Sequence, residues 1–351
     1  MDFSVLFFSS DSLSARGATT YNLLKRASLL ADACGFIAIW TPERHFDRFG
    51  GAFPNPAVTS AALATITNRL ELRAGSLISP LHDIVRIVED WSVVDNISNG
   101  RASISFGSGW NANDFVFFPD RYVDRRGIML DQIGTIQDLW AGKPVCRING
   151  AGQPVEVTTF PRPIRVPLPV WITSSGSPAT FGESGRRGYN LLTHLISQDL
   201  TVLESKIRRY RSAREAAGFD PMTGKVALML HTFVGIDLKE VRAKARDPLR
   251  EYLRSAIVLE NRSAQAGGFI SGGHRSTQEE LDEGLEGELL DLTVERYLDT
   301  ASLIGTPDTV SGLLTRLARI GVNEIACLID FGLPEDEVLR SLEMVAALAT
   351  A

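Results

Sequence analysis

The sequence predicts an α/β chain, a (β/α)8 TIM barrel with insertions at the C-terminal face of its strands. Short apolar runs alternate with amphipathic helical segments from the first residues onward, the chain holds about eight such pairs, and the runs are apolar throughout rather than at every second residue. A sheet with one wet face alternates polar and apolar side chains, whereas parallel strands covered on both sides read as continuous apolar stretches. A length of 351 residues suits one large barrel with excursions.

The units follow in order. Residues 3–8 form an apolar run, and residues 21–33 set Leu23, Leu24, Ala27, Leu30 and Ala31 on one helical face that Gly35 closes. The runs 36–40, 70–78 and 102–106 are followed by helical patterns at 55–68, 83–97 and 124–140. Residues 170–173, 189–193, 226–234 and 322–329 supply the remaining strands, with helices from about Pro178, Leu200 and Lys239 and over 307–320. Two stretches break the rhythm: 142–169, rich in Gly and Pro, predicts an irregular excursion, and 265–287 predicts a mobile insertion. Both are expected to cover the barrel mouth, within a single domain spanning 1–351.

Composition narrows the function. Hydrophobic residues at 44% and charged residues at 22% describe an ordinary globular chain, and 36 basic against 42 acidic residues give no electrostatic reason to bind nucleic acid or an anionic membrane. Cys34, Cys146 and Cys327 are too far apart for a metal or redox motif, so no metal is expected and a reducing, cytoplasmic setting fits. Asp2 stands where a signal peptide carries a cation, and no apolar run approaches a membrane span.

Active sites of this fold sit where strands end, and four of the five histidines fall there: His45, His82, His194 and His231. Trp40, Phe46, Phe49, Phe53, Trp110 and Phe115 gather at the same end, which describes an apolar pocket with few polar groups. Ser174, Ser175, Gly176 and Ser177 precede Pro178 at a predicted helix start; they offer hydroxyls and backbone amides to a phosphate, or alternatively an ordinary N-cap. Gly107, Ser108 and Gly109, with Trp110, Asn111 and Ala112, match dinucleotide-fingerprint spacing, but no helix opens directly after them. Their expected role is close backbone approach to a ligand. Residues 9–11 lack the His-x-His of a metal-dependent barrel hydrolase, and no G-x-S-x-G elbow occurs.

The stretch Trp40-Thr41-Pro42-Glu43-Arg44-His45-Phe46, continuing through Phe49-Gly50-Gly51 to Pro54-Asn55-Pro56, resembles the bacterial luciferase-like flavin monooxygenases. Ala74-Gly75-Ser76 through Pro80-Leu81-His82, Val94-Asp95 to Gly100-Arg101, and Ser108-Gly109-Trp110 with Asn113-Asp114-Phe115 extend the resemblance in order, as does Leu192-Thr193-His194. They are most similar to the branch found in polyketide and nonribosomal peptide gene clusters. That branch usually carries His-Pro where this chain has Asn111-Ala112.

The resemblance implies a monooxygenase that takes reduced FMN as cosubstrate from a separate reductase and oxygenates an organic substrate, small or carrier-bound, by hydroxylation or Baeyer-Villiger insertion. It implies His45 as the catalytic histidine. The phosphate is then expected on Ser174 to Ser177, and the flavin ring at Ala74, Gly75 and Ser76, where a non-proline cis peptide is implied, and near Gly107, Ser108 and Gly109. Trp40, Phe46, His82, Trp110, Asn111, His194 and His231 are the expected substrate pocket, and a homo-oligomer is expected. The alternatives are a deazaflavin-dependent oxidoreductase on the same barrel and a non-catalytic flavin-binding or scaffolding subunit.

Overall fold

The chain closes on itself where its last strand, Glu324–Leu328, pairs in parallel with its first, Asp2–Leu6, in register from Asp2 with Glu324 to Leu6 with Leu328. The computed structural model describes residues 1–8, 17–174, 176–196, 198–265 and 283–350. In chain order the strands are β1 (Asp2–Leu6), β2 (Ala38–Thr41), β3 (Glu71–Ile78), β4 (Ala102–Gly107), β5 (Val145–Ile148), β6 (Pro154–Val157), β7 (Val170–Thr173), β8 (Asn190–His194), β9 (Val226–Val234), β10 (Leu303–Gly305) and β11 (Glu324–Leu328). The helices are α1 (Gly17–Cys34), α2 (Pro56–Ala64), α3 (Ile84–Ser98), α4 (Arg125–Trp140), α5 (Pro178–Arg186), α6 (Leu200–Ala216), α7 (Leu238–Gln265), α8 (Glu283–Thr300), α9 (Pro307–Arg319) and α10 (Glu335–Thr350). Parallel pairing runs β1-β2-β3-β4-β7-β8-β9-β11 and back to β1, the eight-stranded barrel that the continuous apolar runs predict.

Local sequence sets the helix starts. Asn55 accepts from the amides of Ala57 and Val58 ahead of Pro56 at the first turn of α2, Asp83 caps α3 at Val85, and Asp199 caps α6 at Val202. Asn99, at φ 60°, and Gly100, at φ 82°, end α3 in the left-handed conformation that lets the chain turn into β4.

Two features depart from the sequence reading. The 142–169 excursion leaves the C-terminal end of α4 and enters the start of β7, and its Arg147 reaches Asp83, the cap of α3, at 3.5 Å. It is ordered: β5 and β6 form an antiparallel hairpin, Asp95 accepts from the amides of Ile164 and Arg165, and Arg162 donates to the carbonyls of Leu139 and Trp140. In addition, β10 pairs with the end of β9, Thr232 to Val234, beyond the stretch Ala227 to His231 that β11 occupies. Of the 265–287 insertion, Gln265 ends α7 and residues 283–287 begin α8, while 266–282 lie outside the described residues.

Within the barrel, near the strand beginnings, lies a buried polar cluster. Arg73 of β3 donates to both carboxylate oxygens of Glu324 at 2.9 Å and to Glu71 at 2.8 Å, and its guanidinium lies over the rings of Trp40 and Trp171. Ser4 and the Trp40 indole also donate to Glu324. Four strands, β1, β2, β3 and β11, thus meet on one carboxylate. Replacing Arg73 with Met leaves Glu324 buried without a cation, which is expected to cost about 3–5 kcal/mol in denaturant unfolding. The double variant Arg73→Met/Glu324→Leu is expected to recover much of that loss.

Candidate active site

β2 delivers Glu43 and His45 to the mouth, two residues apart in a segment pinned by a hydrogen bond from the Arg44 amide to the Phe53 carbonyl. Extended residues two apart face the same side. Glu43 is 4% exposed, and its carboxylate accepts from three donors: Nε2 of His45 at 3.0 Å, Nε2 of His82 at 2.5 Å and the Ile78 amide at 2.6 Å. Burial alone raises a carboxylate pKa, but the two imidazoles and the amide outweigh it and hold Glu43 below the ordinary range. Burial likewise opposes charge on His82, yet the bond and charge of Glu43 leave its pKa raised.

His45 also lines a cleft of about 390 Å³, with Phe46, Asp47, Asn111, Asn113 and Val116 from the rim and Leu259 and Arg262 from α7. His45 meets the Phe117 ring edge-on at 5.1 Å, and Phe46, at φ 58° and 65% exposed, lies 5.5 Å from it. Asn111 caps a 3-10 turn over Ala112–Phe117 and donates to Asp114 at 2.7 Å. Burial pushes Asp114 up to about 6, against the pull of His45 and Arg44. Arg44 itself lies 3.8 Å above the Phe8 ring and close to Phe49 and Trp110, where burial lowers its pKa.

Beside this group, β3 is irregular. The Gly75–Ser76 peptide is cis, and the pairing with β4 shifts register between Gly75 and Leu77. A Cβ on Gly75 lies 2.8 Å from Trp40 Cβ, so Trp40 is the first group that a side chain at 75 meets. A Cβ on Gly107 lies 2.9 Å from Ser76 Oγ, which brings these two strand ends into contact. Gly109, at φ 78°, packs against Ile78 and Phe115, and Arg125 donates to its carbonyl at 2.7 Å.

Across the barrel, Ser174 is buried and accepts from the Gly176 amide at 3.4 Å, while Ser177 takes the N-cap position of α5 without a side-chain capping bond. Gly176, at φ 132°, brings the backbone so near Lys206 of α6 that a Cβ there lies 2.9 Å from Nζ. The Lys206 amine donates to Gln198 at 2.7 Å and has no ion pair among the described residues. Ser175 lies outside them.

The structure therefore brings together His45, His82, Phe46 and Asn111, and places Ala74, Gly75, Ser76 and Gly107 on the adjoining strand ends. Trp40 and His231 are placed differently from the sequence reading. Trp40 is 0% exposed and directs its indole nitrogen down to Ser4, so it packs the barrel interior rather than lining the cleft. His231 is fully buried against Tyr252, Tyr297 and Phe331, with Nδ1 3.2 Å from the Tyr297 hydroxyl. His194, half-buried, accepts from the Ile196 amide at 3.3 Å. Three partners went unassigned in the sequence reading: Glu43, whose spacing to His45 was the available signal, Asp114, and Lys206, whose approach to Gly176 is purely tertiary.

Residues 1–324 match the luciferase-like monooxygenase family, and the chain belongs to that family of flavin-dependent monooxygenases. It is 24% identical over 325 residues to the oxygenase component of the flavin-dependent trigonelline monooxygenase of Acinetobacter baylyi, covering 90% of this chain and 84% of that one. Among solved structures, monooxygenase RslO1 from Streptomyces bottropensis shares the fold at a TM-score of 0.78 and 21% identity, covering 100% of this chain and 99% of that one. The oxygenating constituent of the 3,6-diketocamphane monooxygenase of Pseudomonas putida, in complex with FMN, shares it at 0.76 and 17%, covering 99% and 96%. An F420-dependent secondary alcohol dehydrogenase shares it at 0.71 and 14%, covering 99% and 98%. No helix among the described residues is long and apolar enough to cross a membrane.

The buried histidines make stability acid-sensitive. Burial, with the charge of Lys206, brings His194 down to about 4, and burial, with His194, brings His231 down to about 3. An unfolded chain protonates both near 6.5, so between about pH 6.5 and 4 it binds more protons than the folded chain, and stability falls with acid by up to about 1.4 kcal/mol per unit per histidine. Asp114, raised to about 6, acts oppositely, because between pH 4 and 6 the folded chain holds the extra proton. His82, raised beside Glu43, acts with Asp114, whereas Glu43 and Glu71, held below the ordinary carboxylate range, lose stability with acid as the two lowered histidines do. The melting temperature is expected to fall from pH 6.5 to 4, and His231→Leu is expected to flatten that dependence.

Proposed function

We propose that the chain is the oxygenase component of a two-component system, taking reduced FMN from a separate reductase to hydroxylate or Baeyer-Villiger oxidise an organic intermediate of secondary metabolism, free or carrier-bound. The observation that carries this reading is His45, held by Glu43 at a cleft lined by Phe46, Val116 and Leu259 among a few polar groups.

The rim fits a flavin phosphate: the helix start of α5 has no side-chain cap, and Lys206 supplies an ammonium beside Gly176. Ser174, Gly176, Ser177 and Lys206 would hold the phosphate, and Ala74 to Ser76 with Gly107 to Gly109 would face the ring. Bound reduced flavin supplies the electrons with which dioxygen is activated. Glu43 keeps the proton of His45 on Nε2, which leaves Nδ1 to accept or return a proton on the cleft side. Phe46, Phe117 and Val116 are exposed apolar side chains beside that edge, available for a bound flavin and substrate to cover and so dry the site. The trigonelline relative, itself named an oxygenase component, supports the division of labour between this chain and a reductase.

Oxygen uptake with a flavin reductase present tests the reading. His45→Ala is expected to abolish product while leaving flavin affinity within about tenfold, because the phosphate rim lies across the barrel. Lys206→Gln is expected to weaken FMN by about tenfold or more and riboflavin hardly at all, since a charged hydrogen bond is worth about 1.5–3 kcal/mol. Tighter binding of a deazaflavin than of reduced FMN, or reduction of flavin by NADPH on this chain alone, would overturn the assignment.

A further inference from the structure

Glu43 presents one negative charge to two imidazoles. Oε1 accepts from Nε2 of both rings, and Oε2 is occupied by the Ile78 amide. Both histidines therefore keep Nε2–H, and each gains or loses a proton only at Nδ1. Their access differs: the His45 side chain is 9% exposed and covered by Phe117, whereas that of His82 is 28% exposed. A fully buried carboxylate compensates one imidazolium, and a second cation on the same oxygen is repelled.

We propose that His82 exchanges charge with His45: when His45 takes a proton at Nδ1 in the cleft, His82 releases one from its own Nδ1 to solvent, and the reverse, with Glu43 ionised throughout. One proton enters and one leaves, so the group's net charge is constant and nothing passes through the carboxylate. Asp90 of α3 favours charge on His82, Arg121 opposes it, and Asp114 faces His45. Arg121 also holds the carbonyls of Pro80 and His82 at 3.0 and 2.7 Å, which fixes where the second ring stands. The arrangement delivers or removes protons at His45, whose own side chain is 9% exposed, through the more exposed His82. His82 is thus a positioning residue, acting through His45.

The proposal deepens the reading of His45 as proton carrier, but its test uses the flavin-free chain, so the coupling and the oxygenase assignment fail separately. The chain has five histidines, few enough to follow individually by 15N side-chain NMR across a pH titration. In the wild type, the His82 signal is expected to respond in two steps shared with its neighbour on Glu43. His45→Gln keeps an N–H donor for Glu43 but carries no charge; His82 is then expected to titrate in one step, with its midpoint raised by about one pH unit. Glu43→Gln is expected to lower the His82 midpoint and remove the coupling. An unchanged His82 midpoint in His45→Gln overturns the proposal, and because that variant leaves Glu43 hydrogen-bonded it decides even where Glu43→Gln does not fold.

Discussion

The molecule is organised around one buried ion pair, Arg73 with Glu324. Glu324 stands at the beginning of the last strand and Arg73 within the third, so their bond spans the barrel interior, and Ser4 and Trp40 tie the first two strands to the same carboxylate. Closure in one register follows from this, since a one-residue slip of β11 would turn Glu324 away from its donors. The ends of β2 and β3 then leave the barrel at fixed positions, and these ends carry Glu43, the Ile78 amide and His82. The interior floor thereby sets the geometry of the mouth.

Polarity is distributed by depth. Charged groups near the floor are compensated by each other, the barrel wall further up holds uncharged His231 and His194, and the rim collects Glu43, His82 and Asp114, whose proton affinities lie away from their ordinary values in opposite directions. Such divergence among neighbours is a mark of sites that move protons. The Glu43 side chain is fully buried, and that burial keeps its bonds to the two imidazoles strong.

The barrel strands were legible because each is buried on both sides; β9, nine residues all buried, is the plainest case. β10 was not, since three residues carry no period, and neither was the β5–β6 hairpin, whose alternation is masked by surrounding Gly and Pro. That the hairpin reaches the cap of α3, through Arg147 and Asp83, is a tertiary contact that composition does not carry. Around the site, His45 and His82 were visible as histidines at strand ends. That they share one carboxylate needed the register of β2 against β3. The direction of Trp40 needed the pleat, which turns its indole into the barrel toward Ser4 and the neighbouring Thr41 outward to Thr59 of α2.

The Asn111–Asp114 bond has an evolutionary consequence. Asparagine gives the carboxyl a neutral partner, and in that company burial dominates its acidity. A histidine at 111 would, when protonated, offer a cation instead and favour the ionised acid. Both residues belong to a rim turn that neither pairs in the barrel sheet nor packs its floor. A lineage can therefore retune the charge of the cleft, and with it the polarity of molecules admitted there, by exchanging one side chain while the load on the barrel stays the same.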